Sequence, residues 1–177
     1  SNGQWLSIDY KKEQIGDAKF TGELIPCSNG VIYVIDKVLT PTTVDLFQVL
    51  QKDGRFTIFT KAITASRQGK LYQNVHDNYT VFAPTDDAFA ALPEGTVESL
   101  LLPENKQALT DILLYHVHAG SVQASDITEG MMLQMVNGDN TTLSLTTGIN
   151  GANITLADVA TANGIIHVID AVILPPM

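Results

Sequence analysis

The segment NGVIYVIDKVLTP at residues 29–41 recurs as NGIIHVIDAVILP at residues 163–175, which lies 134 residues further along the chain. A spacing of this size corresponds to a whole domain and is much longer than the unit of a solenoid. Each copy contains a short apolar run, which is typical of a strand that is covered on both faces. The repetition predicts a tandem array, in which residues 1–42 are the tail of one repeat and residues 43–177 are a complete repeat.

Residues 1–42 are therefore expected to be a fragment of a domain. Ser1–Gly3 is interpreted as a vector-derived remnant. The strands expected in the rest of the fragment cannot bury their apolar faces alone, and an exposed strand pairs readily with another chain. The fragment is expected either to dock on the complete repeat or to exchange with a second molecule, giving a dimer through residues 1–42.

The composition limits the classes of function. With 177 residues, 45% hydrophobic and 16% charged, the chain is expected to be globular rather than disordered. Its 10 basic and 19 acidic residues give a formal charge of −9, which disfavours nucleic acid as a partner. No apolar run is long enough to span a membrane. Cys27 is the only cysteine, so an intrachain disulfide is excluded, although this leaves the compartment open.

Helices are predicted mainly in the first half of residues 43–177, and strands in the second half. A helix is expected to begin at Thr43 as its N-cap and to be interrupted at Gly54, after which the helical pattern resumes. The chain from Met131 to Pro175 shows short strand patterns separated by Asn-Gly turns. This distribution predicts an α+β domain rather than alternating βαβ units.

Three motifs resemble those of the fasciclin domain family. TVFAPTDDAF at residues 80–89 resembles the first box of that domain, LYHV at residues 114–117 its central tyrosine-histidine motif, and NGIIHVID at residues 163–170 its closing box. They occur in the family's order and spacing across residues 43–177. The resemblance implies a compact β-sandwich flanked by helices. Residues 4–41 resemble only the last part of a preceding copy.

The resemblance also implies a function. Fasciclin domains are adhesion and interaction modules of bacterial envelope, plant cell-wall and animal extracellular matrix proteins, so the chain is expected to be secreted, periplasmic or anchored at the cell surface. It is expected to bind a protein or glycan partner, to be no enzyme and to need no cofactor.

Two residue pairs are candidate partner-binding sites. In animal relatives the tyrosine-histidine motif, here Tyr115 and His116, is proposed to interact with integrins. An Asp-Ile pair before the closing box carries the same assignment, and Asp158 and Val159 occupy its place here. The alternative for the first pair is packing in the core, with the imidazole bonded to a buried group. The alternative for the second is an ordinary turn carboxylate.

A competing interpretation is a small-molecule or metal-binding envelope domain with a pocket near His116 and His118. These two residues lie two apart on an expected strand, so their side chains would share one face, and His76 or His167 would complete a site. Zinc sites use three or four ligands, usually in close pairs. Because the spacing indicates no fourth ligand, no metal is expected.

Three residues of the motifs are expected to be structural. Thr85 and Asp86 begin a predicted helix, where the hydroxyl caps the backbone and the carboxylate is stabilised by the helix dipole. Asp170 interrupts an apolar strand, as Asp36 does in the earlier copy, and each is expected to be buried and to accept hydrogen bonds from backbone or a hydroxyl. No catalytic residue is expected, because no nucleophile and base occur in a known arrangement.

Overall fold

A computed structural model describes residues 8–9, 13–15, 18–39, 43–74, 76–146 and 148–176. The chain divides into two compact units, Ser1–Thr42 and Thr43–Met177. The predicted Ser1–Gly3 remnant lies outside the described residues.

The described residues of the first unit form one antiparallel sheet. Its strands follow the order of the chain: β1 (Ile8–Asp9), β2 (Gln14–Ile15), β3 (Ala18–Cys27) and β4 (Gly30–Ile35). β3 and β4 form a hairpin that closes at the pair Cys27 and Gly30.

The helices of the second unit precede most of its strands. They are α1 (Leu46–Asp53), α2 (Thr57–Ser66), α3 (Gly69–Gln73), α4 (Asp86–Ala90), α5 (Thr96–Leu100) and α6 (Lys106–Tyr115). The expected cap at Thr43 is wrong: Asp45 caps α1, because its carboxylate accepts the N–H of Gln48 at 2.8 Å and the Gln48 side chain bonds back to it. Gly54 ends α1 with a φ of 75°, a conformation that glycine adopts without strain. No described helix has the length and apolar character needed to cross a membrane.

The described strands of the second unit form two sheets. The first contains β5 (Tyr79–Pro84), β6 (Val117–Ala119), β10 (Ile154–Thr161) and β11 (Gly164–Ile169) in the order β10-β11-β5-β6. Here β11 runs antiparallel to β10 and parallel to β5. The second sheet is antiparallel and contains β7 (Met131–Gln134), β8 (Asn140–Ser144) and β9 (Gly148–Ile149). The α+β class is confirmed, while the sandwich arrangement stays a prediction.

Two apolar clusters cover the central strands β5 and β11. Val81 and Ile166 belong to a cluster with residues of α1, α2 and α6, whereas Phe82 and Ile169 belong to one with residues of β7, β8 and β9. Alternate residues of a strand point to opposite faces, so both strands are buried on both sides.

Candidate functional site

Tyr115 and His116 lie in the interior of the second unit. Helix α6 continues through Tyr115, and His116 is its C-cap, so the strand begins only at Val117. The prediction that His116 and His118 share one face of a strand is therefore wrong. Both Tyr115 and His116 are buried, and the Tyr115 hydroxyl donates to the Asn140 carbonyl at 3.4 Å. Their role in partner binding stays a prediction, and their burial favours the packing alternative.

The His116 ring is held as one neutral tautomer. Its Nδ1 lies 2.8 Å from the Ile112 carbonyl, and its Nε2 lies 3.2 Å from the backbone nitrogen of Ile173. A carbonyl only accepts and an amide N–H only donates, so Nδ1 carries the proton and Nε2 carries a lone pair. Burial lowers the pKa of His116 to about 4, against the opposing effect of the Ile112 carbonyl. Neither nitrogen is free for a ligand.

His118 lies on β6 and is half-buried. Its Nδ1 bonds to the Gln134 carbonyl at 2.8 Å. Among the described residues, no group of three or more histidine, cysteine, aspartate or glutamate side chains is arranged to hold a metal ion.

His167 joins three segments of the second unit. Its ring is fully buried, stacks on Phe82 with centroids 5.4 Å apart, and donates from Nε2 to the Val122 carbonyl at 2.8 Å. Its Nδ1 accepts the backbone N–H of Asp158 at 3.3 Å. Burial lowers the pKa of His167, against the opposing effects of the Val122 carbonyl and the Asp158 carboxylate. The imidazole is therefore a structural tie between β11, β10 and the loop before Ala124.

Asp158 projects from an irregular part of β10. The register between β10 and β11 shifts between Leu156 and Val159, and Asp158 takes a φ of 59°, which aspartate tolerates better than most residues. Its side chain is exposed, and Oδ1 accepts the backbone N–H of Ala124 at 2.8 Å. Oδ2 accepts no hydrogen bond from the residues that the structure describes. Val159 is half-buried and packs against the helical cluster.

A pocket of about 290 Å³ lies beside this carboxylate. Nine residues line it: Ala124, Ile127, Ser144, Leu145, Thr146, Gly148, Asn153, Ile154 and Ala157. Asp158 is not itself a lining residue, but it follows Ala157 and its Oδ1 accepts the Ala124 N–H, and both of these residues line the pocket. We refer to Asp158 and this pocket as the Asp158 surface. No local sequence pattern indicates it, since the lining comes from three separated segments.

Thr85 and Asp86 each cap a helix. The Thr85 hydroxyl accepts the N–H of Ala88 at 3.3 Å, at the start of α4. The Asp86 carboxylate accepts the N–H groups of Thr57 and Ile58 at 3.2 and 2.8 Å and the Thr57 hydroxyl at 2.6 Å. It therefore caps α2, which has no cap from its own segment. Sequence reasoning placed Asp86 on α4 and missed this longer-range role.

Asp170 and Asp36 use the same backbone bonding in their respective units. Asp170 accepts the backbone N–H and the side-chain amide of Asn153, both at 2.8 Å. Asp36 accepts the backbone N–H of Lys19 at 2.7 Å, and Lys19 precedes Asn153 by the same 134 residues. The predicted acceptor bonds are confirmed. The predicted burial is wrong, because both carboxylates lie at the exposed end of a hairpin.

Asn163 is a structural residue that the sequence reasoning missed. Its side chain is fully buried, and its Oδ1 accepts the N–H of Leu46 at 2.8 Å, at the start of α1. Its Nδ2 donates to the carbonyls of Tyr72 and Asn74, each at 2.9 Å. The Asn-Gly pair that opens both copies of the repeated segment was the available signal.

Comparison with known proteins identifies the family. A model of the fasciclin domain matches residues 54–175. The chain belongs to the fasciclin domain family. The match covers the helices from α2 onward and every strand of the second unit, so the geometry described above is that of a fasciclin domain.

Relatives occur in bacteria and animals. Protein sll1483 of Synechocystis sp. is 42% identical to this fasciclin chain over 147 residues, which are 81% of each protein. The transforming growth factor-beta-induced protein ig-h3 of Oryctolagus cuniculus is 33% identical over 150 residues, which are 83% of this chain and only 22% of ig-h3.

A solved structure shares the fold. It is a FAS1 domain pair from the insect cell adhesion molecule fasciclin I, with a TM-score of 0.68 and 21% identity. The match covers 89% of this chain and 60% of that one.

Proposed function

We propose that this fasciclin chain is a non-enzymatic adhesion module that binds a protein partner through the Asp158 surface. The observation that carries the proposal is the exposed Asp158 carboxylate, which has one oxygen without a bond from the described residues and stands beside a pocket with Leu145, Ile154 and Ala157 in its lining. An acid next to apolar side chains fits a partner that offers a basic group beside an apolar one. The formal charge of −9 favours the approach of such a partner.

The burial of the other predicted site, Tyr115 and His116, also favours the Asp158 surface as the binding site. Tyr115 and His116 are enclosed, and the polar atoms of the imidazole are bonded within the unit. A partner would have to unfold the end of α6 to reach them. We therefore place Asp158, with the half-buried Val159 behind it, ahead of Tyr115 and His116 as the contact.

The setting of the module is part of the proposal. We infer a secreted or cell-surface protein of tandem repeats, in which residues 1–42 are the tail of one fasciclin repeat and residues 43–177 are a complete one with its sheets packed as a sandwich. The insect relative, a domain pair from a cell adhesion molecule, supports both the repetition and the role. The matching bonds of Asp36 and Asp170 support it from within this chain.

A binding panel tests the Asp158 surface. The purified chain is measured against extracellular matrix proteins, cell-surface proteins and glycans by surface plasmon resonance. Asp158→Asn keeps an oxygen for the Ala124 N–H and tolerates the positive φ, but removes the charge. We expect it to weaken protein binding about tenfold and to reduce the salt dependence.

Two control variants keep the comparison fair. Asp87→Asn removes another exposed charge, from the first turn of α4, and Tyr115→Phe removes only the buried hydroxyl. Both are expected to bind as the unaltered chain does. Equal binding by Asp158→Asn and the unaltered chain would contradict the proposal. A loss of binding with Tyr115→Phe alone would instead support Tyr115 and His116 as the partner-binding site.

The metal-binding alternative has its own test. Zinc is added during thermal unfolding, with His118→Ala as the matched variant. A rise in melting temperature that this variant abolishes would favour the alternative over adhesion.

A further inference from the structure

The imidazole of His167 is hydrogen-bonded to the backbone of Asp158. Its Nε2 lies 2.8 Å from the Val122 carbonyl oxygen, and its Nδ1 lies 3.3 Å from the Asp158 backbone nitrogen. A carbonyl only accepts and an amide N–H only donates, so the neutral ring carries its proton on Nε2 and a lone pair on Nδ1. Because a protonated imidazole donates from both nitrogens, the bond from the Asp158 N–H exists only while the ring is neutral.

This bond is made at the point where β10 departs from regular pairing. The register between β10 and β11 shifts between Leu156 and Val159, and Asp158 lies within the shift with a φ of 59°. Few residues other than glycine adopt this left-handed conformation, and a residue in a bulge is held less firmly by the strand ladder. The backbone of Asp158 therefore depends on bonds from outside the ladder, and the bond to His167 is one of them.

The side chain of Asp158 connects the same position to the loop beside the pocket. Its Oδ1 accepts the Ala124 N–H at 2.8 Å. Ala124 and Ala157 both line the pocket of the Asp158 surface. The placement of the carboxylate relative to the pocket thus depends, through the backbone of Asp158, on the protonation state of His167.

A second anchor of this loop does not titrate. The Thr80 hydroxyl donates to the Gly120 carbonyl at 2.7 Å and accepts the Val122 N–H at 2.9 Å. A hydroxyl makes both bonds in neutral and in mildly acidic solution, and a protonated imidazole still donates from Nε2 to the Val122 carbonyl. The effect of a proton on the ring is therefore confined to Asp158 and Ala124.

The charges around the ring favour this rearrangement. Burial lowers the pKa of His167, and the Asp158 carboxylate opposes this effect by favouring the protonated ring. Among the described residues, Asp158 is the only group whose charge acts on the ring. Phe82 of β5 stacks on it, and Asp126 of the loop is bonded to the Gln123 N–H at 3.1 Å. An imidazolium repels the Asp158 N–H and attracts the Asp158 carboxylate.

We propose that His167 makes the Asp158 surface sensitive to acid: a proton taken up at Nδ1 displaces the Asp158 N–H and draws the Asp158 carboxylate from Ala124 to the ring. The hydrogen bond that forms joins Nδ1–H to a carboxylate oxygen, and the two that break are those from the Asp158 and Ala124 N–H groups. A partner bound at neutral pH is then released in mild acid. The release rests on the proposed function, whereas the rearrangement itself needs no partner.

Proton linkage gives the direction and the size of the effect. In the detached state, without the bond from the Asp158 N–H, the ring has a pKa near its usual 6.5, whereas the attached state takes up a proton less readily. Acid therefore favours the detached state. Between pH 8 and pH 5 its population relative to the attached state rises by up to about thirtyfold.

NMR of the full chain from pH 8 to pH 5 tests the rearrangement without a partner. We expect the amide signals of Asp158 and Ala124 to shift together with the ring nitrogens of His167, with a common midpoint below pH 6.5. Exchange of these two amides, corrected for its intrinsic pH dependence, is expected to accelerate about tenfold or more. The Val122 amide, which is bonded to Thr80, is the internal control and is expected to keep its protection.

Two variants separate the ring from the carboxylate. His167→Asn supplies an amide oxygen for the Asp158 N–H and does not titrate, so it is expected to abolish the acid response. Asp158→Asn still accepts the Ala124 N–H but has no charge, so His167 is expected to titrate at a lower pH. This variant changes only an exposed side chain and tests the proposal even if His167→Asn fails to fold. His76→Ala removes an exposed histidine and, as the matched control, is expected to keep the response.

Three results would overturn the proposal. These are unchanged Asp158 and Ala124 signals while His167 titrates, a His167 that stays neutral until the second unit unfolds, and an acid response that survives in His167→Asn. Equal partner binding at pH 7 and pH 5, by a chain whose amides respond, would overturn the release. Absence of any partner at pH 7 would instead contradict the proposed function, and the amide measurements would still decide the rearrangement.

Discussion

The hairpins β3–β4 and β10–β11 share their register, since four of the five residue pairs of β3–β4 recur 134 residues later, and differ in their surroundings. In the second unit, β11 lies between β10 and β5 and is buried on both faces. In the first unit β4 has only β3 as a partner among the described residues, and its side chains are half-exposed. The difference separates what a local sequence determines from what its neighbours determine. The repeated segment itself determines the turn, the strand register and the aspartate hydrogen bond. The neighbouring strands and helices determine how far its side chains are buried and which positions require a particular residue.

The largest difference in stability between the two hairpins is expected for substitutions of Gly164 and Gly30. Gly164→Ala forces a methyl group against the Tyr79 carbonyl and is expected to cost about 4 kcal/mol or more of the free energy of unfolding, or to prevent folding of the second unit. Gly30→Ala, with free space around it, is expected to change that free energy by less than about 0.5 kcal/mol. Urea denaturation of both variants measures the difference. Equal destabilisation would show that the glycines serve the turn rather than the neighbouring strand.

Substitutions of Asn163 and Asn29 are expected to give the next largest difference in the free energy of unfolding. Asn163→Ala removes the acceptor for the Leu46 N–H and the donors to Tyr72 and Asn74 in a fully buried place, and is expected to cost about 3 kcal/mol. Asn29→Ala, in the exposed turn of the first hairpin, is expected to cost less than about 0.5 kcal/mol. Denaturation midpoints test both. A small effect at Asn163 would mean that water can replace its bonds.

The sequence predicted the features that are local to a segment. The strand character of the repeated segment, the cap at Thr85 and the α+β class follow from patterns within a few residues. The cap of α2 by Asp86 and the ties made by Asn163 join residues far apart in the chain, and no spacing rule reveals them. The strand predicted at His116 was wrong for a local reason, because α6 continues through Tyr115 and His116 is its C-cap.

Lowering the pH is expected to destabilise the second unit more than the first. Folded His116 is neutral with a pKa of about 4, whereas the unfolded chain takes up a proton near pH 6.5. Between these values the unfolded state binds more protons, so the free energy of unfolding falls as the pH drops from 6.5 toward 4, by about 3 kcal/mol for this group alone. His167, whose pKa is also lowered by burial, acts in the same direction, and the first unit has Tyr33 instead of a histidine at that place.

Amide hydrogen exchange at several pH values measures this effect unit by unit. Protection in β5 and β11 is expected to weaken on acidification more than protection in β3 and β4. His116→Asn removes one titrating group and should flatten the pH dependence of the second unit. An unchanged slope in this variant would assign the acid sensitivity elsewhere.

The two aspartates give the smallest expected effect. Asp170→Ala removes two exposed acceptor bonds to Asn153 and is expected to cost about 1–2 kcal/mol, which lowers the melting temperature by about 3–6 °C. Asp170→Asn should fall in between, because its oxygen still accepts the backbone N–H while its amide faces the amide of Asn153. Asp36→Ala removes the same backbone bond, so it should speed exchange at the Lys19 amide and leave the main melting transition unchanged. An unchanged melting curve for Asp170→Ala would mean that the aspartate bond is retained in both hairpins without stabilising either, and the register would then be held by the strand pairing and the turn.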